Sequence, residues 1–155
     1  MQWIIDGHNL IPFVPGLSLS DPDDENALID WLSEFVRSGG DTIELFFDKA
    51  ALMHAGIRKL GRLMVRHVPA NRTADQAISE RLHALGRQAA NYTVVSSDRQ
   101  VQANARECRA RSMESALFVQ RVQQARARKA TGEQRRLGEQ EVAMWLDLFN
   151  HRKGE

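Results

Sequence analysis

The sequence predicts an α/β fold: three αβα layers built on an open, mostly parallel sheet with helices on both faces. Three observations carry that expectation. Apolar runs of strand length, at 2–6, 42–48, 62–68 and 92–98, alternate with segments of helical period. Most of these runs are apolar nearly throughout, as in strands covered on both faces. Helical segments between them supply crossovers, and right-handed crossovers distribute helices to both sides of the sheet.

The elements follow in order. Residues 2–6 read as a buried strand that ends at Asp6 in "IIDGHN". "SDPDDENALIDWLSEFVRSGG" reads as a helix with Asp21 as cap, Pro22 at the first helical position, acids in the first turn and glycines after the end. Ala27, Leu28, Trp31, Leu32 and Phe35 recur on one helical face. "TIELFFD" (42–48) is the second strand and also ends in aspartate. A glycine-bearing loop around "MHAGIRKLG" leads to "RLMVRHV" (62–68), whose alternation of apolar and basic residues places it near an edge. "TADQAISERLHALGRQAAN" is a helix opening with Thr73 and Asp75. "YTVVSSD" (92–98) is the fourth strand, finishing in Asp98. A short helix (99–108), a brief strand near "RSM" and a helix from Glu114 follow.

The 155 residues, 43% apolar and 26% charged, have enough material for one domain with a real core. The expected domain spans 1–125. Residues 126–155 read as a basic linker and a C-terminal helix, with Val142, Trp145, Leu146 and Phe149 at helical spacing, packed on the same domain. One cysteine, Cys108, permits no internal disulfide and has no CxxC neighbour to suggest zinc. No stretch is long and apolar enough to span a bilayer. A cytoplasmic protein is expected.

The net charge of +1 conceals an asymmetry. Through Asp48 there are ten carboxylates and one base, Arg37; the remainder holds twenty Lys and Arg against ten acids. Basic density peaks from Arg106 to Arg136, which suits a polyanionic partner as well as a solvated helix face.

In open α/β sheets ligands bind beyond the carboxyl ends of the strands. Asp6, Asp48 and Asp98 are expected there, and Asp75 lies in the first turn of the helix after "VPANR". Singly, each reads as a turn or cap residue. Four at one rim predict a cluster, and two such charges repel by about 4 kcal/mol at 4 Å and an effective dielectric near 20. Such a cluster needs a cation or raised pKa values, and an all-oxygen ligand set favours Mg²⁺ or Mn²⁺ over zinc. No phosphate-binding P-loop, dinucleotide fingerprint or hydrolase elbow is present.

"IIDGHN", "LFFD", "RTADQAISERL" and "VVSSDRQV", in this order and spacing, resemble the motifs of the YacP-like branch of the NYN domain family, within the PIN-like ribonucleases. The resemblance covers about residues 2–119. It implies a PIN-like fold and metal-dependent RNA cleavage by an (endo)ribonuclease, internal or terminal cutting being left open, with Asp6, Asp48, Asp75 and Asp98 as the catalytic, metal-holding acids. Asn9, Thr73 and Ser97 become supporting polar groups, and Arg99, directly after the acid edge, is a candidate for a phosphate oxygen. His8 stands where the family commonly has tyrosine. The expected cofactor is Mg²⁺ or Mn²⁺ and the expected partner RNA, with association to the ribosome left open. The alternatives are a noncatalytic RNA- or ribosome-binding module of the same fold, and a small-molecule phosphohydrolase.

Overall fold

The structure, a computed structural model, describes residues 1–50 and 54–153, and their side chains except those of 133–137, 145 and 147–153. The chain divides into two compact units, Met1–Gln120 and Arg121–Glu155. In the first, the elements are β1 (Gln2–Asp6), α1 (Gly7–Leu10), α2 (Asp24–Arg37), β2 (Thr42–Ala50), β3 (Gly56–Leu60), β4 (Leu63–Pro69), α3 (Ala74–Leu85), β5 (Tyr92–Val95), α4 (Arg99–Glu107), β6 (Arg111–Met113) and the start of α5 (Ser115–Lys153).

The sheet order is β3-β4-β2-β1-β5-β6, parallel everywhere except the β3–β4 hairpin. The predicted α/β class is therefore the observed one. Alternation along β1 divides its neighbours. Ile4 joins Phe46, Ile78, Leu82, Val94 and Val101 in the core under α3 and α4. Trp3 points the other way and meets Phe118 edge-on at 4.9 Å, with Phe35 of α2 completing the aromatic group.

One charged residue lies inside this apolar frame. Glu44, in the middle of β2, is only 8% exposed. Arg66 donates to it from Nη2 at 2.9 Å, and Arg81 from Nε and Nη2 at 2.8 and 3.2 Å. A carboxylate held by two guanidiniums ties β2, β4 and α3 together, and the hydrogen bonds offset its lost hydration.

Several expectations are corrected. α2 begins at Asp24, later than the expected start. The Asp21 side chain accepts from the Asp23 amide at 2.9 Å, and its carbonyl accepts from Asp24, so Pro22 sits in a turn. The loop around "MHAGIRKLG" contains β3, an edge strand with every residue exposed; with two cations and no buried face it lacks a strand's alternation. Gly61, at φ +62, makes the turn into β4. β5 stops at Val95, so Asp98 lies beyond the strand and caps α4.

In the second unit α5 continues through the stretch expected as a linker. Its alanines, arginines and glutamines are good helix formers that outweigh two glycines. Val142, Met144 and Leu146 are exposed, while Trp145 and Phe149 lie outside the described side chains. Among the described residues, no helix is long and apolar enough to cross a membrane.

Candidate active site

The carboxyl ends of β1 and β2 lie side by side, with Asp6 paired in register to Phe46. Directly after Asp6 the chain turns into α1, and the turn depends on Gly7. A Cβ there would lie 2.3 Å from Cε1 of Phe47 and 3.1 Å from the Phe46 carbonyl oxygen. No side chain fits, so glycine allows α1 to lie against β2 and sets His8 over the Phe47 ring, centroids 5.1 Å apart.

His8 is held at both ends. Nδ1 donates to Asp48 Oδ1 at 2.9 Å and Nε2 donates to Glu25 Oε2 at 2.8 Å. Glu25 also faces His67 Nε2 at 3.5 Å, and His67 stacks on Phe47 at 5.6 Å. Sequence reasoning missed Glu25 and this chain of contacts. The sole local signal was a histidine beside Asp6, because Glu25 and Asp48 meet it only through the fold.

Asp6 is the most perturbed acid. Burial, then the Asp48 charge, push its pKa up to about 6, with a smaller push from Asp98; the Asn9 amide hydrogen bond and His8 work against them. Asp75 is shifted upward as well, first by burial and then by Asp98, with an opposing hydrogen bond from Asn104. These influences connect all four predicted aspartates: Asp48 and Asp98 act on Asp6, and Asp98 acts on Asp75. The connection is through the field. Among the described residues no three His, Cys, Asp or Glu side chains are gathered closely enough to enclose a metal ion.

The four acids also have protein partners. Asp48 accepts from His8 and, at 3.5 Å through Oδ2, from the Ala74 amide. Asp98 Oδ1 accepts from the amides of Gln100 and Val101 at 2.8 and 3.4 Å, satisfying the start of α4. Asp75, beside Thr73 at the start of α3, lines a cavity of about 560 Å³ with Arg72, Gln100 and Asn104.

The supporting residues have distinct positions. Asn9 Oδ1 accepts from the Ser97 amide and from Ser115 Oγ, both at 2.8 Å, which fastens α1 to the loop after β5 and to α5. Ser97 Oγ accepts from the Ser115 amide at 3.3 Å. Thr73 caps α3 in a capping box with Gln76. Arg99 is exposed at the first position of α4.

The residues suit a hydrated hard cation better than a closed cage. Mg²⁺ keeps several waters and is commonly held by one or two carboxylates, so a diffuse set of acids with Asp6 only partly compensated is the appropriate donor chemistry.

A family model described as a YacP-like NYN domain matches residues 3–148. No curated protein matches the chain. Among solved structures, Rae1 (YacP) from Bacillus subtilis is similar at TM-score 0.62 and 23% identity, covering 97% of this chain and 92% of that one. A Trp-to-Leu mutant of the same protein is similar at TM-score 0.67 and 23% identity, covering 83% and 77%. With a match across nearly its whole length and the same α/β architecture, the chain belongs to the YacP-like NYN domain family of PIN-like nucleases.

Proposed function

We propose that the protein is a divalent-metal-dependent endoribonuclease that hydrolyses RNA phosphodiester bonds at the rim formed by Asp6, Asp48, Asp75 and Asp98. The observation that carries this reading is the place of Asp6, a half-buried carboxyl at the carboxyl end of β1 that faces Asp48 and Asp98, whose charges add to burial against the opposing His8 and Asn9 amide. A group so placed favours the arrival of a cation.

Asp6 and Asp98 would hold Mg²⁺ or Mn²⁺, with Asp48 and Asp75 acting directly or through water. Such an ion supplies Lewis-acid stabilisation of charge developing on the phosphate oxygens. The chain's own residues do the rest. Glu25 and His8 orient Asp48, Asn9 holds Asp6 through its amide and the β5 loop through its side chain, and Asn104 steadies Asp75. Arg99, exposed beside Asp98, is free to approach a phosphate. RNA is the substrate class that the family and the basic second half favour.

Purified protein incubated with labelled RNA should cut it with Mg²⁺ or Mn²⁺, and a chelator should stop the reaction. Asp6→Asn and Asp98→Asn should each reduce cleavage by about 100-fold or more, on the scale of losing a preorganised electrostatic group. Wild-type turnover in both variants would overturn the reading. A noncatalytic RNA-binding module is the second reading, favoured by the engagement of Asp48 and Asp98 with His8 and α4; it predicts retarded, intact RNA under every metal condition.

A further inference from the structure

We infer that single-stranded RNA reaches the acidic rim along a furrow between α2 and the β3–β4 hairpin, with phosphates held by Lys49, Arg58 and Arg37. This rests on the ribonuclease reading but concerns a different surface from the aspartates.

The furrow begins one residue from Asp48. Between Phe47 and Ala50, β2 carries one residue more than the facing stretch of β4, a bulge. Within it Lys49 adopts φ +60, a left-handed conformation that costs a lysine energy. Bulges re-aim side chains next to active sites. Here the bulge sets Lys49 into a cavity of about 550 Å³ lined also by Glu25, His54, Arg58 and His67.

A second cavity, of about 880 Å³, continues from the first. The two share Asn26 and Arg58, and the second adds Arg37, Arg62 and Asp30. β3 runs antiparallel to β4, so Arg58 lies farther from the rim than Gly56, which faces His67. Along α2 the walls extend from Asn26 to Arg37, about 16 Å at the helical rise. That length far exceeds one phosphate. It suits a polymer carrying a phosphate at each repeat.

The charges agree with such an occupant. Lys49, Arg37 and Arg58 are exposed and make no ion pair among the described residues; with Arg62 the two cavities hold four Lys and Arg against two acids, Asp30 and Glu25, and Glu25 already accepts from His8. Arg62 donates to the Gly39 carbonyl and so braces the far wall. A positively charged groove that tracks the backbone is the kind of site that takes a single strand. The three cations are at positions 37, 49 and 58, none of them in the basic run from Arg106 to Arg136.

The test is fluorescence anisotropy of the full chain with a short, unstructured, labelled RNA in chelator, so that binding is read without cleavage. The triple variant R37Q/K49Q/R58Q should bind at least about tenfold more weakly at about 50 mM salt, and its log-affinity against log-salt slope should fall by about 2, near 0.7 per lost phosphate contact. R37K/R58K should retain most of the affinity. If the triple variant melts early, R58Q alone, altered at an exposed edge position, should still lower the slope by about 0.7.

Wild-type affinity and slope in R58Q and in a folded triple variant would overturn the furrow. So would loss confined to a comparison variant, R106Q/R109Q/R111Q. The two proposals fail separately. A furrow that fails while Asp6→Asn abolishes cutting leaves the nuclease intact, and furrow-dependent binding without metal-dependent cutting leaves the furrow intact.

Discussion

Two carboxylates on neighbouring strands, Glu44 and Asp6, meet opposite surroundings. Glu44, the more deeply buried, accepts three hydrogen bonds from Arg66 and Arg81. Asp6 faces Asp48 and Asp98, and only His8 and the Asn9 amide oppose them among the described residues. Neutralised charge at Glu44 holds the sheet to α3, and the incompletely neutralised charge at Asp6 is where the proposed cation would bind. The same residue chemistry stabilises in one place and destabilises in the other, and the destabilised member is the candidate for function.

Removing each carboxyl should therefore move stability in opposite directions. Glu44→Ala strands two guanidiniums, one of which already has an unpartnered buried Nε. It should cost about 3–5 kcal/mol, seen as a lower midpoint in chemical denaturation. A loss below about 1 kcal/mol would place Glu44 among ordinary surface pairs.

Asp6→Asn should do the reverse in metal-free buffer. With its folded pKa raised to about 6 from 3.8, Asp6 keeps a proton that the unfolded chain releases. Stability contributed by Asp6 thus falls as pH rises from about 4 to about 6, and the full cost remains above that window. After allowance for solvent screening at a half-buried group, the cost is about 2 kcal/mol. The variant should melt about 5 °C higher than wild type near pH 7.5 and no higher near pH 4. Saturating Mg²⁺ should narrow the difference by stabilising only the wild type. An equal gap at both pH values would sink the comparison.

The smallest effect belongs to Thr73. Thr73→Ala removes the capping box of α3, for about 1 kcal/mol. If Thr73 acts only as a cap, Thr73→Ser restores both stability and cleavage; restored stability with impaired cleavage would give its methyl group a part at the rim.

Much of this contrast was legible before any coordinates. The apolar runs marked four strands, and the rim rule directed attention to Asp6 and Asp48. Glu44 escaped notice because a charge inside "TIELFFD" declares nothing about Arg66 and Arg81, which arrive from other elements. Asp98 has the local pattern of a strand end, yet the cap it provides for α4 depended on where β5 stops. β3 was hidden by its full exposure and lack of alternation. Lys49 was invisible for a deeper reason: its significance comes from a bulge and a backbone angle, and neither has a residue pattern in this chain. Local periodicity marks what is buried, whereas the partners of polar groups are set by distant chain.

The bond pair at Asn9 Oδ1 bears on biosynthesis. Its donors, Ser97 and Ser115, are separated from it by 88 and 106 positions. Until Ser97 and Ser115 have been made, these bonds cannot fasten α1, and closing such long intervals is entropically slow. The rim is therefore expected to become ordered only once Ser115 has been synthesised and can reach Asn9.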